Sequence, residues 1–224
     1  YIDKDSTNKL SQSWDAQMRL EMEYQIDSLN KLILRPQISY TNSTSAQTND
    51  YTYDRDSIRI NDGYQHQNSL QEEIKASMRA TYNHKFAKPG RSLTMRANFN
   101  FTNTKGKTDT YAWDNLLNQA LVDQNTLSGN NALSYSLRTS FVEPIYQKNH
   151  LLEMVLSFSG NNRHSVKNQY SMDSITGDYQ YDSIFSNELS NNMYTEQLEL
   201  NYRWVSEKID LTAGARVLAT QTHS

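Results

Sequence analysis

The chain has 224 residues, a formal net charge of −3 and no cysteine. Unclustered basic residues exclude a nucleic-acid footprint, and missing thiols exclude disulfides, Cys-based metal sites and thiol catalysis. Mean hydropathy is −0.83, the value of a soluble or partly disordered chain, but 15 tyrosines beside only 3 prolines favour strands over disorder.

Four short polar turns, at 27–31, 87–91, 147–150 and 205–208, recur about every 60 residues. Each is flanked by two stretches of apolar/polar alternation, the signature of a half-buried strand. Strand 1, about 15–26, sets Ala16, Met18, Leu20, Met22, Tyr24 and Ile26 against Gln17, Arg19, Glu21, Glu23 and Gln25. Strand 2, about 32–42, carries Leu32, Leu34, Pro36, Ile38 and Tyr40 on one face. Strands 3 and 4, about 70–86 and 92–101, repeat the pattern with Ile74, Ala76, Met78 and Tyr82, then Leu93, Met95, Ala97 and Phe99. Strands 5 and 6, about 132–146 and 151–160, present Leu133, Tyr135, Leu137 and Phe141, then Leu152, Met154, Leu156 and Phe158. Strands 7 and 8, about 193–204 and 209–218, present Leu198, Leu200, Tyr202 and Trp204, then Ile209, Leu211, Ala213 and Val217. Between the hairpins, 43–69, 102–131 and 161–192 are polar and read as long loops. Within the second loop, Trp113, Leu116, Leu117, Ala120 and Leu121 have helical spacing, which fits either a short helix capped by Asp109 or Asp114 or a hydrophobic cluster.

Pairing apolar with apolar sets a register for each hairpin. Ile26 then faces Leu32 and Tyr24 faces Leu34; Phe86 faces Leu93; Trp204 faces Ile209. The same registers place Glu23 opposite Arg35 and Arg203 opposite Asp210, two expected cross-strand ion pairs on the polar face. Tyr24, Phe86, Tyr146, Tyr202 and Trp204 gather near the short turns as one aromatic girdle. Glu72, Glu143 and Glu196 fall on the apolar parity, near strand ends where a charge costs roughly 0–1 kcal/mol. Pro36 and Pro144 each remove a ladder donor and predict bulges or gaps in pairing.

Ten strand residues rise about 33 Å and, tilted near 45°, span roughly 23 Å, close to the ~25 Å apolar band of an outer-membrane barrel. The expected fold is therefore all-β: an antiparallel up-and-down transmembrane β-barrel segment of about eight long strands, with four short periplasmic turns and long extracellular loops. Residues 1–224 read as a single domain. The polar start Tyr1-Ile2-Asp3-Lys4-Asp5 has no signal peptide, and the chain reads as a fragment of a larger barrel. No apolar run approaches the ~18–20 residues of a spanning helix.

Three stretches carry a resemblance. Asp27-Ser28-Leu29-Asn30-Lys31-Leu32-Ile33-Leu34-Arg35-Pro36, Tyr135-Ser136-Leu137-Arg138-Thr139-Ser140-Phe141-Val142-Glu143-Pro144-Ile145 and Leu189-Ser190-Asn191-Asn192 resemble, in order and spacing, the middle of the outer-membrane β-barrel family of Bacteroidetes, which are TonB-dependent-receptor-like proteins. The resemblance covers nearly the whole chain. It implies a barrel of about twenty-two strands with a plug domain in its lumen. It also implies nutrient import in a Gram-negative outer membrane, with an energy-coupling periplasmic protein and a surface lipoprotein as partners of the full-length parent. No plug and no TonB box occur in these residues, and the resemblance supplies no ligand-binding residue.

Catalytic patterns are absent. His66, His84, His150, His164 and His223 have no metal-ligand spacing, and neither a GxSxG elbow nor a P-loop occurs. His164-Ser165 has no positioned carboxylate or oxyanion hole beside it. Asp50, Asp54 and Asp56 supply alternating oxygens but lack EF-hand spacing and its closing Glu, so they read as a solvated loop. Those three aspartates and Trp113 are the candidate loop contacts for a ligand. The reading is a non-enzyme without cofactor, embedded in the lipid bilayer, that binds and imports a nutrient. The other readings are a complete eight-stranded barrel with a structural or adhesive role, an enzyme barrel and a soluble β-sheet binding module.

Overall fold

The computed structural model describes residues 2–56, 58–146, 149–206 and 209–223, with side chains from residue 4. The parts of the third and fourth turns at 147–148 and 207–208 lie outside the described residues. The described chain is all-β, with nine antiparallel strands in one up-and-down sheet. These are β1 (Ile2–Arg19), β2 (Met22–Gln25), β3 (Asn30–Arg55), β4 (Ile58–Lys85), β5 (Ser92–Asp114), β6 (Gln119–Tyr146), β7 (His150–Met172), β8 (Tyr179–Val205) and β9 (Asp210–His223). The spatial order follows the chain, β1-β3-β4-β5-β6-β7-β8-β9, with β2 as a second short partner of β3. This is the wall of a β-barrel segment. Substantial packing contacts run only between hydrogen-bonded neighbours, so the described sheet is a single layer.

The expected long loops are strands. β4 and β6 each run 28 residues, about 90 Å of extended chain. The segments 43–69, 102–131 and 161–192 continue the ladders and then turn tightly. Their polarity on both faces erased the alternation signal, while Thr, Ser, Asn and Tyr still paired across strands. Ser69 hydrogen-bonds Thr108 at 3.1 Å and Thr48 hydrogen-bonds His66 at 2.8 Å. The helical spacing at 113–121 gives no helix. Asp114 Oδ1 instead accepts the Leu116 and Leu117 N–H groups at 2.8 and 2.9 Å, closing a tight turn whose last residue, Asn118, has φ 52.

The faces follow the expected parity, but the three hairpin registers differ from expectation by two residues. Tyr24 faces Leu32, His84 faces Leu93 and Trp204 faces Leu211. A shift of two leaves every side chain on its face, so periodicity alone does not detect it. The first turn shows the physical reason. Asp27 Oδ1 accepts the Leu29 and Asn30 N–H groups at 2.7 and 2.8 Å, and Asn30 Nδ2 donates to Asp27 Oδ2 at 2.7 Å. That side-chain cap closes the turn so that β3 starts at Asn30.

Both prolines act as predicted. Leu20 N–H donates to Pro36 O at 3.0 Å, but Pro36 has no N–H to return, and the ladder breaks between β1 and β2 at that point. At Pro144 the β6–β7 register slips, so that Tyr146 faces His150.

Candidate functional site

One face of the sheet near the short turns is apolar and uncovered. Across neighbouring strands, Leu34 faces Ala80, Ala80 faces Ala97, Ala97 faces Leu137 and Leu137 faces Phe158. Met18, Leu137 and Leu198 are 58%, 42% and 48% exposed, although each sits amid apolar neighbours. Among the described residues only Ala112 and Val155 are buried hydrophobics, so the sheet encloses no core. The band ends where the parity continues in polar residues: Asn42, Asn68, Asn103 and Asn131.

The opposite face of the same stretch is charged. Arg35 lies directly opposite Arg79, and Arg96 directly opposite Arg138. Arg79 faces Asn98 and Thr81 faces Arg96, which makes Arg79 and Arg96 diagonal neighbours. Four arginines thus step across β3, β4, β5 and β6. Arg35 binds Glu21 at 2.9 Å, and Arg138 lies 3.7 Å from Glu199. Arg79 Nε donates to Asn98 Oδ1 at 3.2 Å. Among the described residues neither Arg79 nor Arg96 contacts a carboxylate. Alternation placed these arginines on the polar face; their adjacency needed the observed register.

The expected Glu23–Arg35 pair does not form. The two-residue shift brings Arg35 to Glu21, and Glu23 binds Lys31 at 2.8 Å instead. Arg203 and Asp210 do pair, with Arg203 Nε donating to Asp210 Oδ1 at 3.0 Å, although Arg203 faces Thr212 in the ladder. Three of the girdle aromatics meet at His150: Tyr146 edge-on at 5.5 Å, Tyr202 at 6.0 Å and Trp204 stacked at 6.0 Å. Phe86 packs separately, edge-on to His84 at 4.4 Å and Phe141 at 5.9 Å. Tyr24 stands exposed on β2, where it faces Leu32. Glu143, on the apolar parity, is held at the turn end by Lys88 and Arg91, each at 2.6 Å.

The four candidate loop contacts spread along the distal ladder, with Asp50 and Trp113 facing Tyr64 from its two sides. Asp50 is exposed and faces Tyr64 across the β3–β4 ladder. Asp54 is engaged by Arg59 at 2.7 Å. Asp56 occupies the turn with φ 50. Trp113 stacks on Tyr111 at 6.3 Å, and Tyr111 lies 6.3 Å from Tyr64. Among the described residues no three acidic or histidine side chains gather as a metal site. The distal half therefore carries aromatic rings and aspartates on a continuous sheet. Tyr179 extends this surface by donating its hydroxyl to Asp123 Oδ1 at 2.5 Å, which pushes the phenol up to about 12.

No protein-family model matches the chain, and no curated protein matches it. Solved structures align with this chain at low identity. The crystal structure of BauA, the ferric preacinetobactin receptor from Acinetobacter baumannii, aligns over 98% of this chain and 41% of its own, with TM-score 0.45 and 8% identity. FpvA of P. aeruginosa bound to heterologous pyoverdines aligns over 96% and 37%, with TM-score 0.44 and 10% identity. The unliganded ferric citrate transporter FecA aligns over 96% and 38%, with TM-score 0.30 and 9% identity. The chain spans about two fifths of the length of these proteins.

Proposed function

We propose that this chain is a wall segment of a TonB-dependent-receptor-like barrel in the outer membrane of a Gram-negative cell, and that the full-length protein binds and imports a nutrient. The uncovered apolar band carries the membrane part of this reading. A single-layer sheet with one apolar and one charged face is stable where lipid covers the first and water wets the second. A soluble β-sheet module would need a second layer over the band, and packing runs only between paired neighbours. A complete eight-stranded barrel would need β1 to pair with β9, and among the described residues the strand order does not close. The sequence resemblance supports import, with an energy-coupling periplasmic protein and a surface lipoprotein as partners and no catalysis.

Cysteine labelling of the full-length protein in bilayers tests the faces. Leu137→Cys reacts with a lipid-phase probe and Asn98→Cys with a water-soluble one. Equal labelling of both by the aqueous probe, or recovery of the protein in the soluble fraction without detergent, overturns the membrane reading. Import is tested by comparing solute uptake with and without the gene, before and after collapse of the proton-motive force. The receptor reading requires a solute whose accumulation depends on both.

A further inference from the structure

In the sequence His164 has no carboxylate beside it; the sheet supplies one. His164 on β7 lies directly opposite Ser190 on β8, and both continue the parity of the apolar band. Its Nδ1 is 3.0 Å from Ser190 Oγ, and its Nε2 is 3.6 Å from Glu188 Oε1. Hydroxyl, imidazole and carboxylate thus stand in a row with the imidazole between the other two. Ser165, the chain neighbour of His164, lies on the opposite face and meets Leu189 in the ladder. Thr48 and His66 make a comparable hydroxyl–imidazole pair at 2.8 Å, but that imidazole meets the Tyr64 ring at 5.0 Å rather than a carboxylate.

The row sits at the edge of the band. One step toward the band, Phe101 faces Leu133, Leu133 faces Asn162 and Asn162 faces Asn192. A hollow of about 210 Å³ is lined by Phe101, Leu133, Asn162 and Asn192 together with His164 and Ser190. The side-chain oxygen of Asn162 is buried there without a hydrogen-bond partner among the described residues. A buried polar atom left unpaired costs free energy that a bound group can offset. Carboxamides beside a serine hydroxyl can also donate to the oxyanion of a tetrahedral acyl intermediate. From Phe101 and Leu133 the apolar side chains continue toward the short turns, so an acyl chain laid on them brings its polar end to Ser190. In the receptor reading this face is turned away from the lumen and the plug, and meets the lipid leaflet.

We propose that Ser190, His164 and Glu188 form a hydrolytic site for carboxylic esters of long-chain amphiphiles in the outer leaflet. Ser190 Oγ attacks the ester carbonyl carbon while His164 Nδ1 accepts the hydroxyl proton. His164 gives that proton to the departing alcohol oxygen as the ester C–O bond breaks, which leaves an acyl-serine. Water then attacks the acyl carbon with its proton passing to His164. The fatty acid leaves, and the proton returns to Ser190 Oγ as the acyl–serine bond breaks. Glu188 is a positioning residue: it holds the imidazole with Nε2 protonated and stabilises the imidazolium. Its 3.6 Å separation is that of a site without substrate, where such bonds are long. The resemblance carries no catalysis; this activity is additional to import and rests on the receptor reading only in requiring lipid against this face.

The test uses the full-length protein in detergent micelles, assayed for hydrolysis of p-nitrophenyl palmitate and p-nitrophenyl butyrate. Palmitate-ester hydrolysis that falls about a hundredfold or more in Ser190→Ala and in His164→Asn, and is unchanged in Ser165→Ala, supports the site. Glu188→Gln lowers kcat and leaves KM in place; an unchanged kcat removes Glu188 from the site. A long-chain alkyl fluorophosphonate adds one covalent adduct at Ser190 in the wild type and none in His164→Asn. Absence of both hydrolysis and adduct in the wild type overturns the proposal, as does wild-type activity in Ser190→Ala. Faster turnover of the butyrate ester overturns the long-chain substrate class. Leu137→Cys in bilayers reports the lipid face separately. Lipid-phase labelling without hydrolysis sinks the ester site alone; absence of that labelling sinks the membrane reading beneath it.

Discussion

Leu137 and Leu127 stand on the same face of the same strand, and each is 42% exposed. Leu137 has Ala97 and Phe158 across the ladder; Leu127 has Lys107 and Asn168. The first sits in the apolar band and the second in the polar extension beyond it. One backbone ladder therefore crosses an apolar and a polar zone. Both leucines are equally exposed, so the neighbours, not the accessible area, distinguish the two settings.

The largest test of that contrast is a charge placed at each position. In bilayers Leu137→Arg costs about 2–4 kcal/mol of folding free energy, whereas Leu127→Arg costs roughly 0–1 kcal/mol. Denaturant unfolding of the full-length protein from lipid vesicles measures both. Equal costs would erase the boundary between the halves.

A steric pair comes next. A Cβ on Gly160 would fall 2.5 Å from Tyr135 Cζ, whose ring lies over the glycine in the band. Nothing lies within 4 Å of the corresponding atom on Gly129, in the extension. Gly160→Val is expected to destabilise by about 1–3 kcal/mol through displacement of the Tyr135 ring. Gly129→Val stays near neutral, within about 0.5 kcal/mol. The same unfolding measurement decides, and a larger cost at Gly129 would contradict the packing.

The first turn offers a smaller effect. Asn30 Oδ1 accepts from Tyr82 at 2.5 Å and from His84 Nδ1 at 2.6 Å, while its amide holds Asp27. Asn30→Ala is expected to cost about 1–2 kcal/mol and to loosen the β2–β3 hairpin, read as faster amide exchange at Lys31 and Leu32. Exchange rates identical to wild type would remove the turn as the determinant of register.

Two ionisations mark the two ends, and their pH effects are the smallest expected. The Asn30 amide and the Leu29 N–H hold the Asp27 carboxyl below its usual value of 3.8. Its contribution is present above 3.8 and disappears as pH falls through the lowered folded value. Tyr179 is the mirror case. Its bond to Asp123 raises the phenol from 10.0 to about 12, so its contribution is complete below 10.0 and disappears as pH rises through about 12. Tyrosinate absorbance of wild type against Asp123→Asn reads the second shift; titration at the ordinary phenol value in both would exclude the Tyr179–Asp123 bond.

The band was legible in the sequence because apolar and polar residues alternate at period two in the stretches that flank the short turns. The extension was not. Residues such as Thr44, Ser45, Ala46, Gln47 and Thr48 are polar on both faces, so their strand carries no period. Asp114 reads in the sequence as a possible helix cap and instead caps a tight turn, and the centre of each turn was not legible. The cap by Asp27 moved the first hairpin by two residues and exchanged the partners of Glu23 and Arg35. The arginine row was visible as composition and hidden as geometry, since adjacency across four strands depends on three registers at once.

The length of the strands has a consequence for capture. β4 extends about 40 Å past Leu70 toward its distal turn, with Tyr64 and His66 already fixed by the ladder. A mobile loop loses chain entropy whenever a ligand orders it, which weakens binding and slows commitment. A sheet that is already hydrogen-bonded loses almost none. In the proposed receptor, contacts on this distal surface would begin from a hydrogen-bonded sheet, and selectivity would depend on the fixed spacing of rings and carboxylates rather than on closure around the guest.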